Sequence, residues 1–180
     1  MRTKKELLVG EWAVLALLCE RPAHGYAIAA LMAPGGDVGQ IWSLSQQLTY
    51  RALRTLQTLG LVEVAGVTPG AAAPRRTELT ATTDAKRMVS RWLRTPEQRI
   101  REMRPNLLLK LHLLRRRNRS PLSLLDAQRI VLVDALGQLE TTAAGRDAQP
   151  AALIDAWRRA LAAAALSFVE ETIARERDAR

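Results

Sequence analysis

Apolar residues recur every three or four positions through most of the chain, and the pattern shortens to alternation only between residues 61 and 81. The helical spacing predicts a first helix over residues 11–20, stopped near Arg21-Pro22. A second short helix is expected over residues 24–33, with Ile28 and Leu31 apolar. Ala33-Pro34-Gly35-Gly36-Asp37 then reads as a loop. A third helix lies within residues 43–64, SLSQQLTYRALRTLQTLGLVEV. Ser43 and Ser45 both qualify as its N-cap, and Ser43 with Gln46 has capping-box spacing. Gly60 closes it in the position where a left-handed backbone is easiest. Leu61 to Ala65 is a short strand. A Gly/Pro-rich loop over residues 66–74 follows, and Arg75 to Ala81 returns with Thr77, Leu79 and Ala81 on one side. A helix from Thr83 to Leu93 ends before Pro96.

The remainder is helical. Residues 98–117 alternate basic residues with the run LLLKLHLL. Pro121 restarts a helix to Thr142, with Leu125, Leu132, Leu136 and Leu139 on one stripe, and residues 145–150 break it. In the last helix, Ala151 to Ala174, the residues Ile154, Trp157, Leu161, Ala164 and Phe168 step by three and four, a seam for another helix. The fold class is therefore mainly α, with a domain over residues 1–95 and an α-helical region over residues 96–180.

Three short helices followed by a two-stranded hairpin is the order of a winged helix-turn-helix. Its third helix enters the major groove of DNA, and the hairpin touches the backbone beside it. At 100° per residue, Leu48, Ala52, Leu56 and Leu59 gather on one side of the third helix with Leu53 at the margin. Gln47, Tyr50, Arg51, Arg54 and Thr58 gather on the other. Glutamine can pair with adenine, arginine with guanine or phosphate, and tyrosine with a phosphate oxygen. No acidic residue interrupts this face, whereas a merely solvated helix face more often pairs its arginines with Glu or Asp. The candidate DNA-binding residues are Ser45, Gln47, Tyr50, Arg51 and Arg54, with Arg75 and Arg76 on the wing. Gln47 and Arg51 are assigned to base edges, and Tyr50 and Arg54 to phosphate.

Charge supports a polyanionic partner. The 180 residues carry a formal net charge of +9. Residues 81–120 alone carry +9, with twelve basic side chains against three acidic ones, which points to one face or one element. With 48% hydrophobic residues there is material for a sizeable core. A single cysteine, Cys19, forms no intrachain disulfide, and the apolar run from Trp12 to Cys19 is too short to span a membrane, so a soluble cytoplasmic protein is expected. Two histidines, His24 and His112, and no tight carboxylate cluster leave no metal site at useful spacing. His24 reads as a helix-start residue that hydrogen-bonds locally. No phosphate loop, nucleophile elbow or carboxylate pair points to an enzyme, and no cofactor is implied.

Four stretches in order resemble the PadR family of transcriptional regulators. Pro22-Ala23-His24-Gly25-Tyr26 resembles the opening of that family's second helix. Ser45, Tyr50, Leu53, Leu56 and Gly60-Leu61-Val62 fall at the spacing of its recognition helix and first wing strand. Thr82 with Trp92-Leu93 fits the end of the wing and the next helix, and Leu109-Lys110-Leu111 the start of the C-terminal region. The chain departs from the pattern at Leu79, where the family has Tyr, at Ala81 for Leu and at Ala85 for Gly. Gln46-Gln47 replaces small residues, so no target sequence carries over.

The resemblance implies a homodimeric regulator, a repressor that binds a pseudopalindromic operator in double-stranded DNA and is tuned by a small hydrophobic or aromatic effector. Leu132, Leu136, Ile154, Trp157, Leu161 and Phe168 are the candidate dimerisation residues. The resemblance also allows Trp157 and Phe168 to line an effector pocket, against plain packing. Trp12, Trp92 and Trp157 read as core. Arg115-Arg116-Arg117-Asn118-Arg119 and the residues Lys86, Arg87, Arg91 and Arg94 are either DNA flank contacts or solvated helix surface. A second reading stays open, a helical protein-interaction module on a winged-helix scaffold that does not bind DNA.

Overall fold

The computed structural model describes residues 7–68, 76–143 and 151–178. The chain divides into two compact units, Met1–Leu93 and Arg94–Arg180.

The first unit is built around α1 (Val9–Leu18). Residues 13–18 of this helix are all buried. A helix that is apolar on every side has to be surrounded, and α2 (Gly25–Met32), α3 (Gln46–Thr58) and α4 (Thr83–Trp92) surround it together with a small sheet. Trp12 of α1 stacks on Trp92 of α4, with ring centroids 5.0 Å apart and planes 3° from parallel.

Ser45 is the N-cap of α3, its hydroxyl accepting from the Leu48 amide at 3.2 Å, which decides between the two serines. At the other end Gly60 takes φ +65. The Gly60 amide donates to the Gln57 carbonyl at 2.9 Å and the Leu61 amide to the Leu56 carbonyl at 2.9 Å, a Schellman closure.

The sheet is antiparallel in the order β1-β3-β2. Strands β2 (Val62–Thr68) and β3 (Arg76–Ala81) form the wing, with a register shift between Val64 and Gly66. Strand β1 is two residues, Ala23–His24, paired with Leu79 and Glu78. Leu79 and Ala81 are buried in the wing, and Ala85 is fully buried in α4. These three departures from the family pattern therefore sit in packed positions. Thr82 caps α4, accepting from the Ala85 amide and donating to the Leu61 carbonyl. Three helices and a hairpin in this arrangement are a winged helix.

The second unit contains α5 (Ile100–Arg116), α6 (Leu122–Ala143) and α7 (Ala151–Asp178). Arg177 near the end of α7 pairs with Asp126 near the start of α6 at 3.3 Å, so the two helices run antiparallel. Helix α5 ends in a second Schellman closure. Asn118 takes φ 51, and the amides of Asn118 and Arg119 reach the carbonyls of Arg115 and Leu114.

The basic excess of residues 81–120 does not form one element, because it is split between α4 in one unit and α5 in the other. Part of it is matched, Arg87 by Asp84 and Arg99 by Glu102 one turn away, and Arg115 by Glu176 of α7.

Candidate nucleic-acid interface

The buried side of α3 consists of Thr49, Ala52, Leu53 and Leu56. This corrects the expected wheel. Leu48 is 48% exposed and belongs to a flank, and Leu53, at 2% exposure, is one of the buried residues. The reason lies in Thr49, whose hydroxyl donates to the Ser45 carbonyl one turn back at 3.1 Å. With its hydrogen bond satisfied inside the helix, a threonine can be fully buried, and that turns the whole helix towards it.

With the buried side so fixed, 100° per residue puts Gln47, Arg51, Arg54 and Thr58 directly outward. All four are exposed, and none is a carboxylate. Arg54 Nε donates to the Tyr50 carbonyl at 3.4 Å, and the Thr58 hydroxyl to the Arg54 carbonyl at 3.0 Å, so both of these hydrogen bonds stay within the helix. Tyr50 and Gln57 lie on the flank towards α2, while Leu48 and Thr55 lie on the flank towards the start of α1.

The two flanks differ. On the α2 side, an open cleft of about 770 Å³ is lined by His24, Tyr26, Tyr50, Arg54, Gln57 and Thr77 among others, and no acidic side chain lines it among the described residues. On the α1 side, a groove of about 530 Å³ is lined by Leu8, Leu44 and Leu48 together with Glu11 and Arg51. Tyr50 is half-buried because its ring lies over Gly25, where a Cβ would stand 2.8 Å from Tyr50 Cε1. Gly25 is thus the space into which the ring fits.

His24 does not bond locally as expected. It occupies the N-cap position of α2 without a side-chain cap. Its Nδ1 instead meets the Thr77 carbonyl at 3.2 Å, and its Nε2 lies 3.5 Å from Glu78 Oε1. The histidine therefore ties α2 to the wing across 53 residues of sequence. Arg75 lies outside the described residues. Arg76 starts β3, and its side chain lies outside them as well.

In the second unit the apolar seam divides in two. Leu132 is 1% exposed. Leu136 is half-buried. Ile154, Trp157, Leu161 and Phe168 remain exposed, Trp157 by 64%, which corrects its reading as core. Helix α7 buries Ala162, Val169 and Ile173 instead, a stripe about 120° away from the expected one at 100° per residue. Leu153 on α7 and Ile130 and Val133 on α6 are exposed too. Trp157 and Phe168 are eleven positions apart, about 16 Å along a helix, a spacing that suits an extended seam more than the two walls of one small pocket.

Sequence reasoning missed a buried polar cluster in the second unit. Lys110 is 1% exposed and donates to the Thr95 carbonyl at 2.7 Å and to Glu97. Asn106 Nδ2 donates to the other oxygen of Glu97 at 3.1 Å. Gln128 is fully buried and brackets the Glu97 backbone, accepting from its amide at 2.7 Å and donating to its carbonyl at 2.9 Å. Burial pushes the Lys110 amine below its ordinary value, against the opposing pull of the Glu97 carboxylate. The available signal was one lysine inside the leucine run LLLKLHLL. Among the described residues, no group of three or more His, Cys, Asp or Glu side chains could hold a metal ion. None of their helices is long and apolar enough to cross a membrane.

No family model matches the chain, and no curated protein matches it. Several solved structures do. A Bacillus subtilis PadR solved in complex with operator DNA is 19% identical, with a TM-score of 0.47 over 94% of this chain and 99% of that one. The smu.1604c protein of Streptococcus mutans UA159 is 14% identical, with a TM-score of 0.42 over 92% of this chain and 98% of that one. The PadR-like transcriptional regulator BC1756 of Bacillus cereus is 15% identical, with a TM-score of 0.43 over 97% and 99%. The chain is thus similar to PadR and PadR-like transcriptional regulators of solved structure.

Proposed function

We propose that this chain is a sequence-specific DNA-binding transcriptional regulator that acts as a homodimer on a pseudopalindromic operator. The observation that carries the reading is the outward face of α3: Gln47, Arg51, Arg54 and Thr58, exposed together, without a carboxylate, on a helix anchored through Ala52, Leu53 and Leu56. Such a face fits the major groove, where glutamine and arginine can meet base edges and phosphates. Repression is the sign we assign, because a dimer seated on a promoter excludes other proteins from it. A small hydrophobic or aromatic molecule would act by changing how the two chains meet at α7.

The test is titration of the purified protein against a duplex from its own upstream region at several salt concentrations, after genome-wide footprinting has marked its sites. Arg54→Ala should weaken binding and lower the salt slope by about 1, as loss of one phosphate contact requires. Tyr50→Phe should weaken binding with the slope kept. Unchanged affinity and slope in both variants would take α3 out of the groove and leave a protein-interaction module as the reading.

The dimer rests on the exposed stripe of α7. Single exposed leucines are ordinary, but Ile154, Trp157, Leu161 and Phe168 form a continuous stripe of large side chains on one helix face. A second copy of the same face would cover it with two-fold symmetry, matching a palindromic site. Leu161→Glu should lower the mass found by sedimentation from dimer to monomer. A variant that stays dimeric would move the interface elsewhere.

A further inference from the structure

We propose that Trp157 of one chain seats on Gly137 of α6 in a second copy, and reciprocally, so that two tryptophan seats close the dimer. The inference rests on the homodimer reading of the α7 stripe and adds to it a register and a second surface.

Two features of the second unit have no account within one chain. Gly137 lies inside α6 with ordinary helical backbone, where glycine is less favourable than alanine. It is exposed, and a Cβ placed there would meet no atom within 4 Å. Neither a turn nor a close approach among the described residues asks for a glycine. The missing side chain leaves a shallow open notch on α6, bordered by Val133, Asp134, Gln138 and Thr141. Trp157 is the complementary case. It is the largest side chain of the α7 stripe and is 64% exposed, with an indole N–H that needs an acceptor once it is covered.

The antiparallel pairing of α6 and α7 relates the two positions. Counted at 1.5 Å per residue from the Arg177–Asp126 pair, Gly137 lies about 16 Å along α6, and Leu161 and Trp157 lie about 24 and 30 Å along α7. A two-fold axis across the helices at the level of Leu161 exchanges levels equally far on either side of it. It therefore carries Trp157 of one copy to within about 2 Å of the level of Gly137 in the other. The same axis sets Leu161 against its own copy, in the middle of the exposed stripe from Ile154 to Phe168.

The chemistry of the notch suits an indole. Ile130 and Val133 are exposed on the same side of α6 as Gly137, and they give the ring an apolar border. The Asp134 carboxylate is a charged acceptor for the indole N–H. The Thr141 hydroxyl, which donates to the Gly137 carbonyl at 2.9 Å, offers its oxygen as a second.

The experiment measures the dimer dissociation constant of the full chain, by sedimentation over a range of concentrations, for wild type, Gly137→Leu, Trp157→Ala and the double variant. Gly137→Leu should weaken the dimer by about tenfold or more, because its side chain fills the notch, while the same change favours the helix within each chain. Trp157→Ala should weaken it by about the same factor. The double variant should be no weaker than either single one, because the leucine then enters the space that the indole has left. Circular dichroism separates lost association from lost folding, with the helix content of Gly137→Leu expected to equal or exceed that of wild type.

If Gly137→Leu dimerises as tightly as wild type while Leu161→Glu is monomeric, the seat is overturned and the dimer on α7 stands. If the losses of the two single variants multiply in the double, the residues do not meet, and the seat is overturned. If wild type is a monomer throughout, the dimer reading falls and takes the seat with it.

Discussion

Lys110→Met should destabilise the second unit by about 3–5 kcal/mol, because it leaves the Glu97 carboxylate buried without its cation. Asn106 would still donate to Glu97, and Gln128 would still hold its backbone. Neither can neutralise a charge. Adding Glu97→Gln to Lys110→Met should restore much of the loss, since a neutral amide costs far less to bury than an unpaired carboxylate. Urea denaturation at fixed protein concentration measures both. A single variant as stable as wild type would show that the pair holds nothing together.

The same amine gives the chain a pH dependence with an unusual sign for a salt bridge. Its folded value is lowered, chiefly by burial, so between that value and the ordinary 10.5 the unfolded chain binds more protons than the folded one. Stability from this group rises with pH through that window and is lowest where the amine is charged in both states. Lys110→Met should remove that rise.

Arg51→Ala should weaken binding to the operator by about 1–3 kcal/mol and relax the preference at one base pair, if its guanidinium pairs with guanine as assigned. It points outward from α3 beside Gln47 and makes no contact that the core depends on. The readout is a competition series in which each operator position is changed in turn. A uniform loss over all sequences, accompanied by a lower salt slope, would place Arg51 on phosphate instead.

Much of the architecture was legible because local rules and global packing agreed. Gly60 after a leucine-periodic run marked the end of α3, and the Schellman closure there uses it as expected. The element order of the winged helix followed from the change of period near residue 61. Strand β1 was not legible, since two residues have no alternation to detect and form a strand only by pairing with β3. The rotation of α3 was missed because a hydrophobicity count ranks Leu48 above Thr49, whereas the buried position goes to the threonine that satisfies its own hydroxyl.

Side-chain partners far apart in sequence were the least legible. Nothing local links His24 to Thr77 or Lys110 to Glu97. On α7 the period of the apolar residues was right, but that helix carries two apolar stripes, and the larger residues lie on the exposed one. The face packed within the chain includes a side chain as small as Ala162, so it is the less conspicuous of the two.

The burial of residues 13–18 on every side of α1 has a consequence for how this protein can change over generations. The core of the first unit is centred on a rod whose side chains α3 covers with only one of its faces. Positions 47, 51, 54 and 58 stand on the opposite face, where substitutions typically shift stability by no more than about 0.5 kcal/mol. On the proposed DNA-binding reading, a lineage can therefore rewrite these four letters, and with them the operators that it answers to, while the scaffold beneath stays intact. Libraries randomised at those four positions alone should yield mostly folded proteins with new targets.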